Sequence, residues 1–235
     1  MKRILHFLKS GSPKWRLVVA AVLVAGGWVL YTQVIHKSSQ LHRYTYNQLD
    51  SYTMATKPSG TSLSFKKPVE MVADSHLPDI ADLVHFVPGG NKLYYAYISA
   101  GHSVYDTPLN AGEFPDLDKI LTNPNDPAYG TYIAPVKQFV AYRLQTGWNV
   151  ELNNPQRFTN PQIKSNAWKY DLSATGTQNA DSVKGQSFAV SGEVVYIISG
   201  QDHYWFTIIT KPYNWQSNIN IWQEVTNSLS LEEVN

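Results

Sequence analysis

Residues 17–35 read LVVAAVLVAGGWVLYTQVI and carry no charge. Crossing a bilayer core of about 30 Å takes roughly 20 mostly apolar residues, and Arg16 and Lys37 bracket a stretch of that length. A single membrane-crossing helix is therefore expected, and it divides the chain. Trp15, Trp28 and Tyr31 lie near its two ends, where aromatic rings with a polar handle are favoured. Lys2, Arg3, Lys9, Lys14 and Arg16 precede it, whereas Lys37 and Arg43 follow. Positive charge stays inside, so residues 1–16 form a short basic cytoplasmic head and the C-terminal part is exported.

A cleaved signal peptide shares the basic start and the apolar run. Here the run is longer than a usual signal core, and His36-Lys37-Ser38-Ser39-Gln40 offers no A-x-A-like cleavage site. A buried core helix would be shorter or carry a polar stripe. A retained anchor is the expectation. Gly26-Gly27 leaves room for a neighbouring helix, but no spaced pair of small residues specifies a dimer.

The residues beyond the anchor are enough for one domain with its own core. The chain has no cysteine, which excludes disulfides, thiolate metal sites and a thiol nucleophile. Net charge is +1, part of the positive charge sits in the head, and charged residues make up 16% of the chain. The exported part is thus mildly acidic, which argues against nucleic-acid binding. Aromatics reach 13%, half of them tyrosine, and favour strands.

Residues 36–50 are polar, either a stalk or an outward extension of the anchor helix. The exported domain is placed at 51–235. Residues 52–55 and 62–65 predict two strands around Lys57-Pro58-Ser59-Gly60. Residues 83–87 and 93–99 predict a hairpin around Pro88-Gly89-Gly90-Asn91, with Leu93, Tyr95, Tyr97 and Ser99 on one face. Residues 100–134, rich in Gly, Pro, Asn and Asp, read as a loop-rich insertion holding one short helix at 115–121. A helix is expected at 135–144, with Pro135 in its first position and Val136, Phe139, Val140 and Leu144 as its apolar stripe. Residues 149–160 read as polar connection.

Strands are expected at 168–174, 188–190, 194–198 and 204–210, the last two joined through Ser199-Gly200-Gln201-Asp202. A helix at 218–229 closes the chain, with Asn220 and Gln223 at capping-box spacing.

This order of elements resembles the PsbP-like α/β sandwich. The likeness is carried by Tyr52-Thr53-Met54-Ala55-Thr56-Lys57-Pro58-Ser59-Gly60 and Ser64-Phe65-Lys66-Lys67-Pro68 at the start of the domain. At its end the carriers are Gly192-Glu193-Val194-Val195-Tyr196-Ile197-Ile198, Tyr204-Trp205-Phe206-Thr207-Ile208-Ile209-Thr210 and residues 222–231. Residues 100–134 depart from it. The resemblance implies an α+β fold, an antiparallel sheet packed with helices, and partner binding without a shared catalytic set. No functional residue is carried over, since fold does not license activity.

Motifs for chemistry are few. Histidines 6, 36, 42, 76, 85, 102 and 203 are scattered, and no His-Glu-x-x-His occurs. Asp116, Asp118 and Asp126 with Asn123 and Asn125 are oxygen donors, but their spacing matches no EF-hand, and helix caps and turns account for them. No Gly-x-Ser-x-Gly or supported Ser-x-x-Lys appears, and Ser75-His76 and His102-Ser103 are bare adjacencies. Pro88-Gly89-Gly90-Asn91-Lys92 fits no Walker pattern. Asp79/Asp82 and Asp116/Asp118 read as solvated surface.

Tyr94, Tyr97, Tyr105, Trp168 and Tyr204 are the candidates for a ligand groove, against core packing as the ordinary explanation. The expectation is a single-pass cell-membrane protein: a non-catalytic extracytoplasmic binding domain meeting an envelope protein partner, with no cofactor and no metal. The alternatives are a cell-wall glycan or peptide hydrolase using the acids of 116–126, and a small-ligand sensor acting through a membrane partner.

Overall fold

The computed structural model describes residues 48–55, 61–73, 83–88, 96–104, 114–144, 149–177 and 187–233. The expected anchor at 17–35 lies outside them, and among the described residues no helix is long and apolar enough to cross a membrane. The strands are β1 (Leu49–Ala55), β2 (Thr61–Pro68), β3 (Met71–Ala73), β4 (Leu83–Pro88), β5 (Ala96–Val104), β6 (Asn149–Arg157), β7 (Asn166–Thr177), β8 (Ser187–Ser199), β9 (Asp202–Thr210) and β10 (Ser230–Glu233). The helices are α1 (Phe114–Leu121), α2 (Tyr129–Leu144), α3 (Pro212–Ser217) and α4 (Ile219–Asn227).

Seven strands form one antiparallel sheet in the order β3-β4-β5-β9-β8-β7-β6. A second sheet has the order β1-β2-β10. Strand alternation sends each large-sheet residue to one of two faces. Trp168, Tyr196 and Trp205 are in register across β7, β8 and β9, and so share a face. That face buries Leu117 and Leu121 of α1 and Tyr129, Ile133, Val136 and Val140 of α2. Phe139 stacks on Trp205 there, centroids 5.9 Å apart.

The opposite face carries Val195 and Phe206, again in register. The small sheet lies against it: Phe65 meets Phe206 at 5.0 Å and Phe86 at 6.1 Å, and Tyr52 meets Phe86 at 4.8 Å. The fold is thus an α+β sandwich built around an antiparallel sheet, as expected.

Four expectations are corrected. The helix read from Pro135 starts at Tyr129, with Pro135 inside it. Asp126 supplies the start, accepting the Ala128 N–H at Oδ1 (2.9 Å) and the Tyr129 N–H at its carbonyl (3.0 Å). Proline removes one helical bond, the one to Thr131, which is exposed. The segment 100–134 is less of a loop than it reads, since β5 runs through Val104 and α1 and the start of α2 fall inside it.

Residues 149–157, read as connection, form the edge strand β6; Val150 and Leu152 are buried while Glu151 and Asn153 are exposed. Pro155 sits where the β6–β7 register shifts, between Asn153 and Gln156, as an edge strand permits. Finally, α4 starts after Asn218, not through a box at Asn220 and Gln223, and residues 230–233 leave it as strand β10.

Candidate functional site

Alternation in β2 turns Leu63 and Phe65 inward and Ser64 and Lys66 to the outer face of the small sheet. Ser51 of β1 lies opposite Lys66, and Ser230 of β10 opposite Ser64. The C-terminal turn of α4 stands beside these residues and contributes Glu224, Asn227 and Ser228. Together with Phe65 they line an open trough of about 350 Å3. Three stretches of chain, around 51, 64 and 228, converge there.

The α4 wall is fixed from several directions. Lys66 Nζ is 3.6 Å from Glu224 Oε1, both side chains about half exposed; such a pair contributes about 0–1 kcal/mol. The Lys66 N–H donates to Ser228 Oγ (2.7 Å), and that hydroxyl donates to the Val225 carbonyl (2.6 Å). Ser228 thereby ends the helix, its N–H reaching back to Glu224. Buried Asn160 donates to the carbonyls of Asn227 (3.1 Å) and Leu229 (2.8 Å), pinning the bend between α4 and β10. Deeper in, the Thr226 hydroxyl donates to Glu193 of β8.

The residues expected to line a groove fall elsewhere. Trp168 is fully buried on the α1–α2 face, and its indole N–H donates to Asp118 Oδ1 (2.9 Å). Tyr97 is half-buried against the same core. Tyr204 is fully buried on the opposite face, its hydroxyl bonded to Thr61. These three do not share a surface. Tyr94 and Tyr105 lie outside the described residues.

Two of the candidate acids, Asp118 and Asp126, make contacts within the fold, while Asp116 is exposed in the first turn of α1. Asp118 also accepts from Arg157 Nη1 (3.3 Å), whose guanidinium lies over the Trp168 ring at 4.9 Å. Asp126 starts α2, and Asn123 Oδ1 accepts the Asn125 N–H (3.1 Å). Among the described residues no group of three or more His, Asp or Glu could hold a metal ion. Asp79, Asp82, Ser75 and His76 lie outside the described residues.

The two described histidines with visible partners are both buried. His102 Nε2 is 2.7 Å from Asp202 Oδ1. His203 bonds the Tyr196 hydroxyl through Nδ1 on the other face of the sheet. Burial pushes His203 down to about 4, outweighing the upward pull of Asp202, with His102 lowering it further. His203 is therefore neutral at physiological pH and holds Tyr196 in place.

No sequence motif announced the trough. Apart from Phe65 its members are ordinary Ser, Asn, Lys and Glu; the one available signal was the alternation of Ser64 and Lys66 with Leu63 and Phe65 in β2.

No family model matches the chain, and no curated sequence matches it. By structure it is similar to the solution structure of cyanobacterial PsbP from Synechocystis sp. PCC 6803, at 12% identity and TM-score 0.47, over 78% of this chain and 92% of that one. It is similar to the Saccharomyces cerevisiae Ran-binding protein Mog1p, at 10% identity and TM-score 0.43, over 80% and 97%. It is also similar to LpqN of Mycobacterium tuberculosis, described as involved in cell envelope biogenesis, at 14% identity and TM-score 0.40, over 79% and 92%. These structures share a PsbP-like fold.

Proposed function

We propose that this chain is a membrane-anchored, extracytoplasmic binding domain of the cell envelope, without chemistry of its own, and that the small-sheet trough is its binding face. The observation that carries the reading is the convergence of Ser51, Ser64, Lys66, Glu224, Asn227, Ser228 and Ser230 on one open concavity. Of the acids weighed for chemistry, Asp118 is engaged by Trp168 and Arg157, and Asp126 starts α2. The uncharged run at 17–35 supports the tether, and the basic head its orientation.

A photoreactive residue tests the binding face in intact membranes. Placed at Asn227 it is expected to capture an envelope component that the same residue at Gln138, exposed on the far helical layer, does not. Equal capture at both positions, or none at Asn227, would overturn the assignment.

A further inference from the structure

If the trough is the binding face, its lining also restricts what it binds. One wall is the end of α4, and a helix C-terminus carries about half a negative charge. Glu224 adds a full one. Lys66, the cation of the lining, is 3.6 Å from Glu224 and so is already paired. Among the described residues of the lining, an anion entering here meets an acidic wall with no cation to spare.

The rest of the lining is neutral: Phe65 is apolar, the Ser64 hydroxyl is bonded to that of Thr53, and the Ser228 hydroxyl donates to the Val225 carbonyl. This leaves the hydroxyls of Ser51 and Ser230 and the amide of Asn227 to face a ligand. Hydroxyls and amides each donate and accept, which matches a ligand dense in hydroxyls. An extended peptide matches less well, because it draws affinity from main-chain pairing along an open sheet edge. The trough floor is β2, which is paired on both sides, with β1 and β10. The volume, about 350 Å3, lies at the low end of ligand sites (~300–1,000 Å3), which suits a small unit of a larger ligand.

We infer that the trough binds an uncharged sugar unit of a glycan through hydroxyl hydrogen bonds and rejects polyanions.

Isotope-labelled full-length protein in detergent micelles, titrated at millimolar concentration, tests this with three probes: the neutral trimer of N-acetylglucosamine, a capped neutral Gly-Ser peptide, and inorganic polyphosphate. The trimer is expected to shift the amide signals of Ser51, Ser64, Lys66, Asn227 and Ser230, and polyphosphate to leave them in place. Ser51→Trp, at an exposed position on the edge strand, fills the trough and is expected to weaken the trimer by about tenfold or more with the melting temperature unchanged. If the peptide or polyphosphate shifts these amides and the trimer does not, the ligand class is wrong while the trough remains the binding face. If none of the three shifts them, the sugar proposal and the trough fall together.

Discussion

The hydroxyl of Thr226 on α4 donates to the carboxylate of Glu193 near the middle of β8. Glu193 is 4% exposed, and its other oxygen is 3.9 Å from Lys169 Nζ. A buried carboxylate thus ties the helix that walls the trough to a central strand. Burial pushes Glu193 up to about 7; Lys169 pulls it down and Asp171 pushes it up, each by less.

Glu193→Gln tests this tie. The folded-state value lies above the ordinary 4.5, so the folded chain holds the proton more tightly than the unfolded one. The stability this contributes is complete below pH 4.5 and is lost as pH rises through about 7. The variant keeps an oxygen for Thr226 and has no proton to lose. It is expected to flatten the stability curve across that window and to exceed the parent above it by about 1–3 kcal/mol. Urea unfolding at about pH 5 and about pH 8 measures this; an unchanged pH slope would contradict it.

Gly192 and Gly200 should respond differently to alanine. A Cβ at Gly192 would stand 1.8 Å from the Ile208 carbonyl oxygen, which is backbone of the neighbouring strand. Gly192→Ala is expected to cost about 3 kcal/mol or more. Gly200 turns the β8–β9 hairpin at φ +65 with nothing within 4 Å of a Cβ. Gly200→Ala is expected to cost only about 1–2 kcal/mol, for the left-handed backbone. Thermal melts of the two variants separate these outcomes.

Asn160→Ala removes both donors that pin the carbonyls of Asn227 and Leu229, and the acceptor for the Gln162 N–H (2.9 Å). The expected loss is about 1–3 kcal/mol. It should be local: hydrogen exchange accelerates at residues 228–231 and stays slow in β7 and β8.

Asp118→Ala leaves the indole N–H of fully buried Trp168 without its acceptor. The expected cost is about 1–3 kcal/mol. Arg157→Ala removes a 40%-exposed partner of the same carboxylate and should cost about 0–1 kcal/mol from the ion pair, plus its contact with the indole. Matched melts of the two variants test whether Asp118 serves the fold chiefly through Trp168.

Elements with a strong period were legible from residues alone. The β8–β9 hairpin is written in Val194, Val195, Ile208 and Ile209 around Gly200, and the β1–β2 pair in the alternation through Leu63 and Phe65. Elements whose pattern is diluted were not. In β6 only Val150 and Leu152 face the core; its exposed Asn153 and Asn154 and its Pro155 read as loop because an edge strand tolerates them. Pro135 read as a helix start because the true start rests on Asp126, three residues before Tyr129. The trough was invisible for a different reason. Lys66 and Ser228 are 162 positions apart in the chain, and neither residue type signals a site until the fold brings them together.

The chain has no cysteine, so single introduced cysteines can report topology without background. Asn227→Cys lies in the trough, and Ser10→Cys in the basic head. The account predicts that both variants fractionate with membranes, that a membrane-impermeant maleimide labels Asn227→Cys in intact cells, and that Ser10→Cys is labelled only after permeabilisation. Labelling of Asn227→Cys only after lysis, or recovery of the domain as a soluble chain lacking residues 17–35, would contradict it.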